Sequence, residues 1–131
     1  MTQLDVGSRN PAKLIAMFKQ GLATDLFSKV AETIGVSEGQ LAGRTGIPVS
    51  TLTRRKRSGK LSQHESERLY RVIHVFNRAV EVLGSDMAAK NWITNPVKAL
   101  DWSTPLAYLE TEIGTKEVEA VLGRIEHGVF S

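Results

Sequence analysis

Cysteine is absent from this sequence of 131 residues, which excludes disulfide scaffolds, iron–sulfur clusters, thiolate zinc sites and cysteine nucleophiles. Glycine and proline are few and scattered, so no long flexible linker is expected. No apolar run approaches the ~20 residues that a membrane span needs. Residues 1–10 also lack the apolar core of a secretory signal. These absences together predict a cytoplasmic protein with no membrane partner.

Acidic residues are missing from one continuous part of the chain, Gly39 to His64. The basic residues within it are Arg44, Arg54, Arg55, Lys56, Arg57 and Lys60. Residues 99–131 have the opposite balance, with six acidic residues against two basic ones and a net charge of −4. The middle of the chain is therefore a candidate surface for a polyanion, whereas phosphate would repel the C-terminal third.

Apolar residues recur with the period of an α-helix almost throughout, and no stretch alternates as a β-strand does. The predicted fold class is therefore all-α, as one compact domain or two small lobes that share a core. Predicted helices cover residues 11–20, 24 or 25 to 34, 38–45, 48 or 50 to 57, 62–83, 86 or 87 to 92, 105–113 and 116–126. Gly114 is expected to end the seventh helix, and Thr115 is expected to cap the eighth.

The segment QLAGRTGIPVSTLTRRKR, residues 40–57, has the spacing of a helix-turn-helix motif. Ala42 is small where the second helix crosses close to the first, and Gly46 can take the positive φ that a tight turn needs. Ile47 and Leu52 are expected to bury the pair of helices against the rest of the domain. The same spacing also occurs in plain packing corners, so the basic second helix is what favours DNA binding.

The second helix of this motif would read DNA. Serine and threonine can contact base edges or phosphates, arginine can pair with guanine, and the basic residues from Arg55 onward suit phosphates. Neutralising about four phosphates predicts a log–log salt slope near −3.6. The DNA-binding residues predicted from the sequence are Val49, Ser50, Thr51, Thr53, Arg54, Arg55, Lys56, Arg57 and Lys60.

We divide the chain into a flexible N-terminus, residues 1–9, a region for DNA binding and dimerisation, residues 10–84, and a C-terminal domain, residues 85–131. The seam lies at Gly84–Ser85, where a predicted helix stops and the charge balance changes. A homodimer is expected because one helix-turn-helix covers few base pairs, and paired half-sites lie about 34 Å apart. The predicted architecture is thus a helix-turn-helix domain joined by a long helix to a small helical domain.

Chemistry other than binding has little support in the sequence. It contains no P-loop, dinucleotide fingerprint or nucleophile elbow. His64, His74 and His127 lie in no metal-ligand spacing. We therefore expect no catalytic residue, no cofactor and no metal, and an enzyme is the disfavoured class.

Two stretches of the chain resemble the Xre/MbcA/ParS antitoxins: residues 65–84, ESERLYRVIHVFNRAVEVLG, resemble their long helix, and residues 91–131 resemble their C-terminal toxin-binding domain. The residues that carry the second resemblance are Trp92, Ile93, Pro96, Leu100, Thr104, Pro105, Leu106, Leu109, Thr111, Gly114, Val118, Arg124, Ile125, Glu126, His127 and Gly128. Members of the family usually carry one or two glycines before the Thr-Pro pair. This chain has Asp101-Trp102-Ser103 there.

The resemblance implies a type II antitoxin, a small helical dimer whose N-terminal part binds operator DNA and represses its own operon. Its toxin-binding domain, here residues 85–131, is implied to cover the active site of a RES-domain toxin that consumes NAD⁺ or uses it for ADP-ribosylation. The toxin-binding residues that the resemblance implies are Arg124, Ile125, Glu126, Gly128, Val129 and Phe130, and the residue type of Trp102 makes it a further candidate. Trp102, in a predicted turn, is about equally compatible with packing and with partner binding. The alternative function is a stand-alone transcriptional regulator with a C-terminal protein-interaction lobe.

Overall fold

A computed structural model of the chain describes residues 4–128, and the predicted all-α fold is confirmed. The helices are α1 (Pro11–Gln20), α2 (Thr24–Ile34), α3 (Glu38–Thr45), α4 (Val49–Ser58), α5 (Gln63–Leu83), α6 (Asp86–Ile93), a 3₁₀ helix (Lys98–Leu100), α7 (Pro105–Tyr108) and α8 (Glu112–Glu126). Extended pairing in the described residues is limited to two isolated bridges, Ala23 with Lys60 and Val97 with Ser103. None of the helices is long and apolar enough to cross a membrane, as far as residues 4–128 go.

The described chain forms two compact units, residues 4–70 and 71–128, and the division falls inside α5. Gly84, at the seam predicted from the sequence, directly follows the end of α5. Leu4 is buried in the first unit, whereas residues 1–3 lie outside the described part. The predicted division into residues 1–9, 10–84 and 85–131 stays a prediction.

The first unit packs α1 to α4 and the start of α5 around one apolar core. Its buried side chains are Leu4, Leu14, Leu22, Phe27, Val30, Ala31, Ile34, Leu41, Ala42, Ile47, Leu52, Leu61 and Leu69. Close backbone approach joins the segment before α2 to the segment after α4. Gly21 has φ 93°, and a Cβ there would lie 2.2 Å from the carbonyl oxygen of Leu61. The Leu61 N–H donates to the Leu22 carbonyl at 2.9 Å, so the end of α4 is held in place by backbone contacts.

The second unit consists of the rest of α5 with α6, the 3₁₀ helix, α7 and α8, and α7 contacts both α6 and α8. Its buried apolar side chains are Val72, Ile73, Val75, Phe76, Ala79, Val80, Ala89, Ile93, Leu100, Leu106, Leu109, Val118, Val121 and Leu122. Arg71 Nη1 donates to the Leu109 carbonyl at 3.0 Å, which satisfies a backbone acceptor just beyond the end of α7.

The boundary between α7 and α8 differs from the prediction. Gly114 does not end a helix and Thr115 is not a cap, because α8 begins at Glu112 and is capped by Thr111, whose hydroxyl accepts the Gly114 N–H at 2.9 Å. A Cβ at Gly114 would lie 2.0 Å from the Tyr108 carbonyl oxygen. The glycine therefore permits close approach of α7 and α8, a role unrelated to helix termination.

Candidate nucleic-acid and protein interfaces

The helix-turn-helix is formed by α3 and α4 with a tight turn between them. At the start of α3, Ser37 and Gln40 cap each other reciprocally: the Gln40 N–H donates to Ser37 Oγ at 3.0 Å, and the Ser37 N–H donates to Gln40 Oε1 at 2.9 Å. At its end, Gly46 has φ 69°, the left-handed conformation that the sequence predicted. The Ile47 N–H donates to the Ala42 carbonyl at 2.9 Å and closes the turn.

Packing of the motif follows the predicted pattern. Ala42, Ile47 and Leu52 are all buried in the core of the first unit. Thr45 is an unusual residue for an inward position, and it is almost fully buried. Its hydroxyl donates to the Leu41 carbonyl at 2.8 Å, so the buried polar group has a partner and the helix tolerates it.

One side of α4 is exposed along its whole length. Five predicted DNA-binding residues recur there with helical spacing, and all are exposed: Val49, Ser50, Thr53, Arg54 and Arg57. We call them the exposed face of α4. Val49 is 62% exposed although apolar, and Leu52 is buried on the other side of the helix. The Thr53 hydroxyl donates its hydrogen to the Val49 carbonyl at 3.1 Å. It can therefore only accept a hydrogen bond from a bound molecule.

The predicted basic residues fall into two groups. Arg54, Arg57 and Lys60 are exposed, and their side chains have no hydrogen-bond or ion-pair partner among residues 4–128. Arg55 and Lys56 are instead paired with carboxylates of Glu65 and Glu38. Thr51, the remaining predicted residue, is half-buried.

The Arg55–Glu65 pair connects α4 to the start of α5 through two hydrogen bonds. Arg55 Nε donates to Glu65 Oε1 at 2.9 Å, and Nη2 donates to Oε2 at 3.3 Å. The Glu65 side chain is only 8% exposed and also accepts the Ser62 N–H at 2.8 Å. Burial raises the pKa of the Glu65 carboxyl, but the hydrogen bonds from Arg55 and Ser62 and the Arg55 charge outweigh burial and hold that pKa below its usual value. The hydrogen bond to Glu65 and the negative charge of Glu65 raise the pKa of Arg55.

The Lys56–Glu38 pair connects α4 to the first turn of α3. Lys56 Nζ donates a short hydrogen bond to Glu38 Oε1. This bond lowers the pKa of Glu38, burial opposes the lowering, and a hydrogen bond from Ser28 and the charge of Lys56 add to it. Both side chains are more than one third exposed, so this pair contributes little to the free energy of unfolding.

At the end of α8, Glu126 is bound within the chain. Arg78 Nη1 donates to Glu126 Oε2 at 2.9 Å, and Arg78 Nη2 donates a short bond to Oε1. The hydrogen bond from Arg78 lowers the pKa of Glu126 more than desolvation raises it. Arg124 is half-buried and has no such partner within the described residues.

The other candidate protein-binding residues have different surroundings. Ile125 is half-buried, and Gly128 is exposed with φ 70°. Val129 and Phe130 lie outside the described residues.

Trp102 occupies a turn with unusual backbone geometry. Asp101 and Trp102 both have positive φ, 58° and 64°, which residues other than glycine seldom adopt. The Trp102 N–H donates to the Val97 carbonyl at 3.0 Å, and the Val97 N–H donates to the Ser103 carbonyl at 3.0 Å. The turn is thus closed by backbone hydrogen bonds, while the indole is 65% exposed.

Three residues that sequence reasoning missed are the carboxylates Glu38 and Glu65 and the cation Arg78. Glu38 and Glu65 are the residues that flank the acid-free part of the chain on its two sides, and this position was the available signal. No sequence signal links Arg78 to Glu126, because they are far apart in the chain. Residues 4–128 contain no cluster of three or more side chains that could hold a metal ion.

The fold and these sites define a helix-turn-helix protein with a second, helical C-terminal domain. The sequence matches the family model of the antitoxin Xre-like helix-turn-helix domain over residues 13–74. Over residues 78–128 it matches the model of the antitoxin Xre/MbcA/ParS C-terminal toxin-binding domain.

Three relatives carry the name antitoxin Xre. The chain is 37% identical to the one from Yersinia enterocolitica and 32% identical to the one from Photorhabdus laumondii, in each case over 120 residues. Both alignments cover 90% of this chain and 81% of the relative. The antitoxin Xre of Pseudomonas putida is 37% identical over 83 residues, which cover 63% of this chain and 52% of that protein. The chain belongs to the family of Xre antitoxins.

Proposed function

We propose that this protein is the antitoxin of a toxin–antitoxin pair, which neutralises a RES-domain toxin by covering its active site and represses its own operon by binding operator DNA. The observation that carries the proposal is the combination of two parts in one chain. The exposed face of α4 is cationic, and the second unit matches a toxin-binding domain.

DNA binding is assigned to the exposed face of α4 together with Lys60. Arg54 is free to pair with a guanine, while Arg57 and Lys60 supply charge to backbone phosphates. Ser50 contributes a hydroxyl at a base edge or a phosphate, and Thr53 can accept a hydrogen bond from a donor on a base edge. A homodimer in the cytoplasm would place two such faces on two half-sites.

Toxin binding is assigned to the second unit, whose net negative charge from residue 99 onward suits a pocket built for the phosphates of NAD⁺. The RES-domain partner is proposed from the resemblance of residues 91–131. Arg124, which has no partner among residues 4–128, and the exposed indole of Trp102 are available to such a partner. The proposed toxin-binding residues are Trp102, Arg124, Ile125, Glu126, Gly128, Val129 and Phe130.

The test uses the purified chain and the RES-domain toxin encoded next to it. NAD⁺ consumption by the toxin is measured with and without the chain, and binding to duplex DNA from upstream of the chain's own gene is measured in parallel. We expect the chain to suppress NAD⁺ consumption and to bind the DNA. DNA binding without any effect on the toxin would support the stand-alone regulator instead, and NAD⁺ consumption by the chain alone would support an enzyme.

Two variants separate the two activities. Replacing both Arg54 and Arg57 by alanine should weaken DNA binding and leave neutralisation intact, because both side chains lie in the first unit. Deleting residues 128–131 should weaken neutralisation and leave DNA binding intact. Unchanged DNA affinity in the first variant would refute the assigned face of α4, and full protection by the second would refute a role of the C-terminal segment in covering the toxin.

A further inference from the structure

Arg55 differs from its basic neighbours in how its charge is used. Arg54 and Arg57 are exposed and have no partner among residues 4–128. Arg55 is one of the less exposed basic side chains of α4, at 30%, and its guanidinium spans both oxygens of the buried Glu65 carboxylate. Because the Glu65 carboxylate neutralises the Arg55 guanidinium, the pair attracts a phosphate only weakly. The sequence alone, however, places Arg55 among the phosphate contacts.

We propose that Arg55 is a positioning residue, which together with Glu65 fixes the orientation of α4 and so of its exposed face, and that it does not itself contact phosphate. The proposal rests on the proposed DNA-binding function. It assigns a different role to a residue that composition and spacing group with the DNA contacts.

The geometry supports this role because the pair fixes α4 at two points. A planar guanidinium bound to both carboxylate oxygens allows less rotation than a single hydrogen bond does. Glu65 is itself held by the Ser62 N–H at the start of α5, and the Glu65 N–H donates back to Ser62 Oγ at 3.2 Å. The Glu65 carboxylate is therefore held in place at the start of α5. Its two hydrogen bonds with Arg55 restrain the position of α4 relative to that point.

A second contact holds the neighbouring side of α4. Lys56 pairs with Glu38 of α3, so two successive residues of α4 are bound to two different helices. Glu38 and Glu65 thus neutralise two of the five cations between Arg54 and Lys60. Of the three cations without a partner among residues 4–128, Arg57 and Lys60 are assigned to phosphates, and they predict a salt slope of about −1.8 for each subunit, at −0.9 for each phosphate contact.

The salt slope separates positioning from phosphate contact. We compare Arg55→Gln with its matched control Arg57→Gln, using duplex DNA from upstream of the chain's own gene at roughly 50 to 200 mM salt. Arg57→Gln should reduce the steepness of the slope by about 0.9 for each subunit. Arg55→Gln should leave the slope unchanged while affinity falls by up to about fivefold, because the free protein no longer holds α4 in the binding orientation.

Glu65→Gln gives a test in which the two roles predict opposite signs. Glutamine keeps an oxygen for the Ser62 N–H, so the cap of α5 is retained. If Arg55 contacts phosphate, removal of the carboxylate frees it and DNA affinity rises. If Arg55 positions α4, the pair is weakened and affinity falls. Helix content by circular dichroism verifies that each variant is folded.

The outcomes are distinguishable from failure of the proposed function. Absence of DNA binding by the unchanged chain would refute that function. Binding by the unchanged chain, together with a slope reduced by about 0.9 in Arg55→Gln or a higher affinity in Glu65→Gln, would overturn the positioning role alone. An unchanged slope with lower affinity in both variants is the result that supports it.

Discussion

The backbone geometry of the turn at Asp101 and Trp102 leads to a prediction about the free energy of unfolding. Trp102 has φ 64°, where a residue with a Cβ loses roughly 1–2 kcal/mol and glycine does not. Glycine, however, loses about 0.5–1 kcal/mol more backbone entropy on folding than alanine does. Trp102→Gly and Trp102→Ala remove the same indole, so the difference between them isolates the backbone. We expect the glycine variant to be the more stable by about 0.7 kcal/mol.

The comparison is made by urea unfolding and by thermal unfolding. In a chain of this length, 1 kcal/mol corresponds to roughly 4 °C in the melting temperature. At ordinary positions in helices alanine is the more stabilising residue, so the expected order is a reversal. An alanine variant as stable as the glycine variant would refute the claim that this turn is strained.

The same two variants also test the proposed toxin contact at Trp102. Both variants lack the indole, so their affinities for the RES-domain toxin should be equal. If Trp102 is a central anchor of the interface, each affinity should be about 30-fold lower than that of the unchanged protein. The two variants should therefore have the same affinity for the toxin, because both lack the side chain, but different free energies of unfolding, because their backbones differ in strain. Unchanged affinity in both variants would remove Trp102 from the proposed interface.

Two further predictions concern packing and pH. Gly114→Ala should destabilise the protein by roughly 1–3 kcal/mol, because the new methyl group would overlap the Tyr108 carbonyl oxygen at 2.0 Å. Its control is Gly123→Ala in the same helix, where no atom lies within 4 Å of the new methyl group. This control should be neutral or stabilising by up to about 1 kcal/mol. Equal effects of the two substitutions on denaturant unfolding would contradict the packing role of Gly114. The lowered pKa of Glu65 means that its stabilisation is present above pH 4.5 and is lost as the pH falls through the folded-state pKa. The stability of the unchanged protein should therefore exceed that of Glu65→Gln at pH 7 and converge with it in acid, whereas a difference that persists at low pH would disprove the charge-based account.

The helix-turn-helix was predictable because its signals are local. Ser37 as a cap, Gly46 at the turn and Gly59 beyond α4 fix the helix bounds through residues within four positions of each boundary. The burial of Ala42 and Leu52 follows from helical period alone. These features need no knowledge of the tertiary structure.

The α7–α8 boundary was not predictable by the same means. Glycine after an apolar stretch usually signals a helix end, but Gly114 is present because the Tyr108 carbonyl approaches it closely. Only the packing of two helices reveals that need. The structure begins α8 at Glu112, with Thr111 as its cap.

The pairing of the basic residues shows a second limit of sequence reasoning. An acid-free stretch describes neighbours along the chain, whereas charge compensation depends on neighbours in space. Glu38 and Glu65 lie just outside the stretch, and the fold brings them to Lys56 and Arg55. The sequence therefore located a cationic region and overestimated how many of its charges are unpaired.

The central proposal is that this chain suppresses a RES-domain toxin by covering its active site. The most direct measurement is NAD⁺ turnover by the product of the adjacent gene, assayed alone and after co-purification with the chain. We predict that turnover is suppressed in the complex and returns when residues 128–131 are deleted from the chain. Turnover that is equal with and without the chain, in a complex shown to have formed, would contradict the claim.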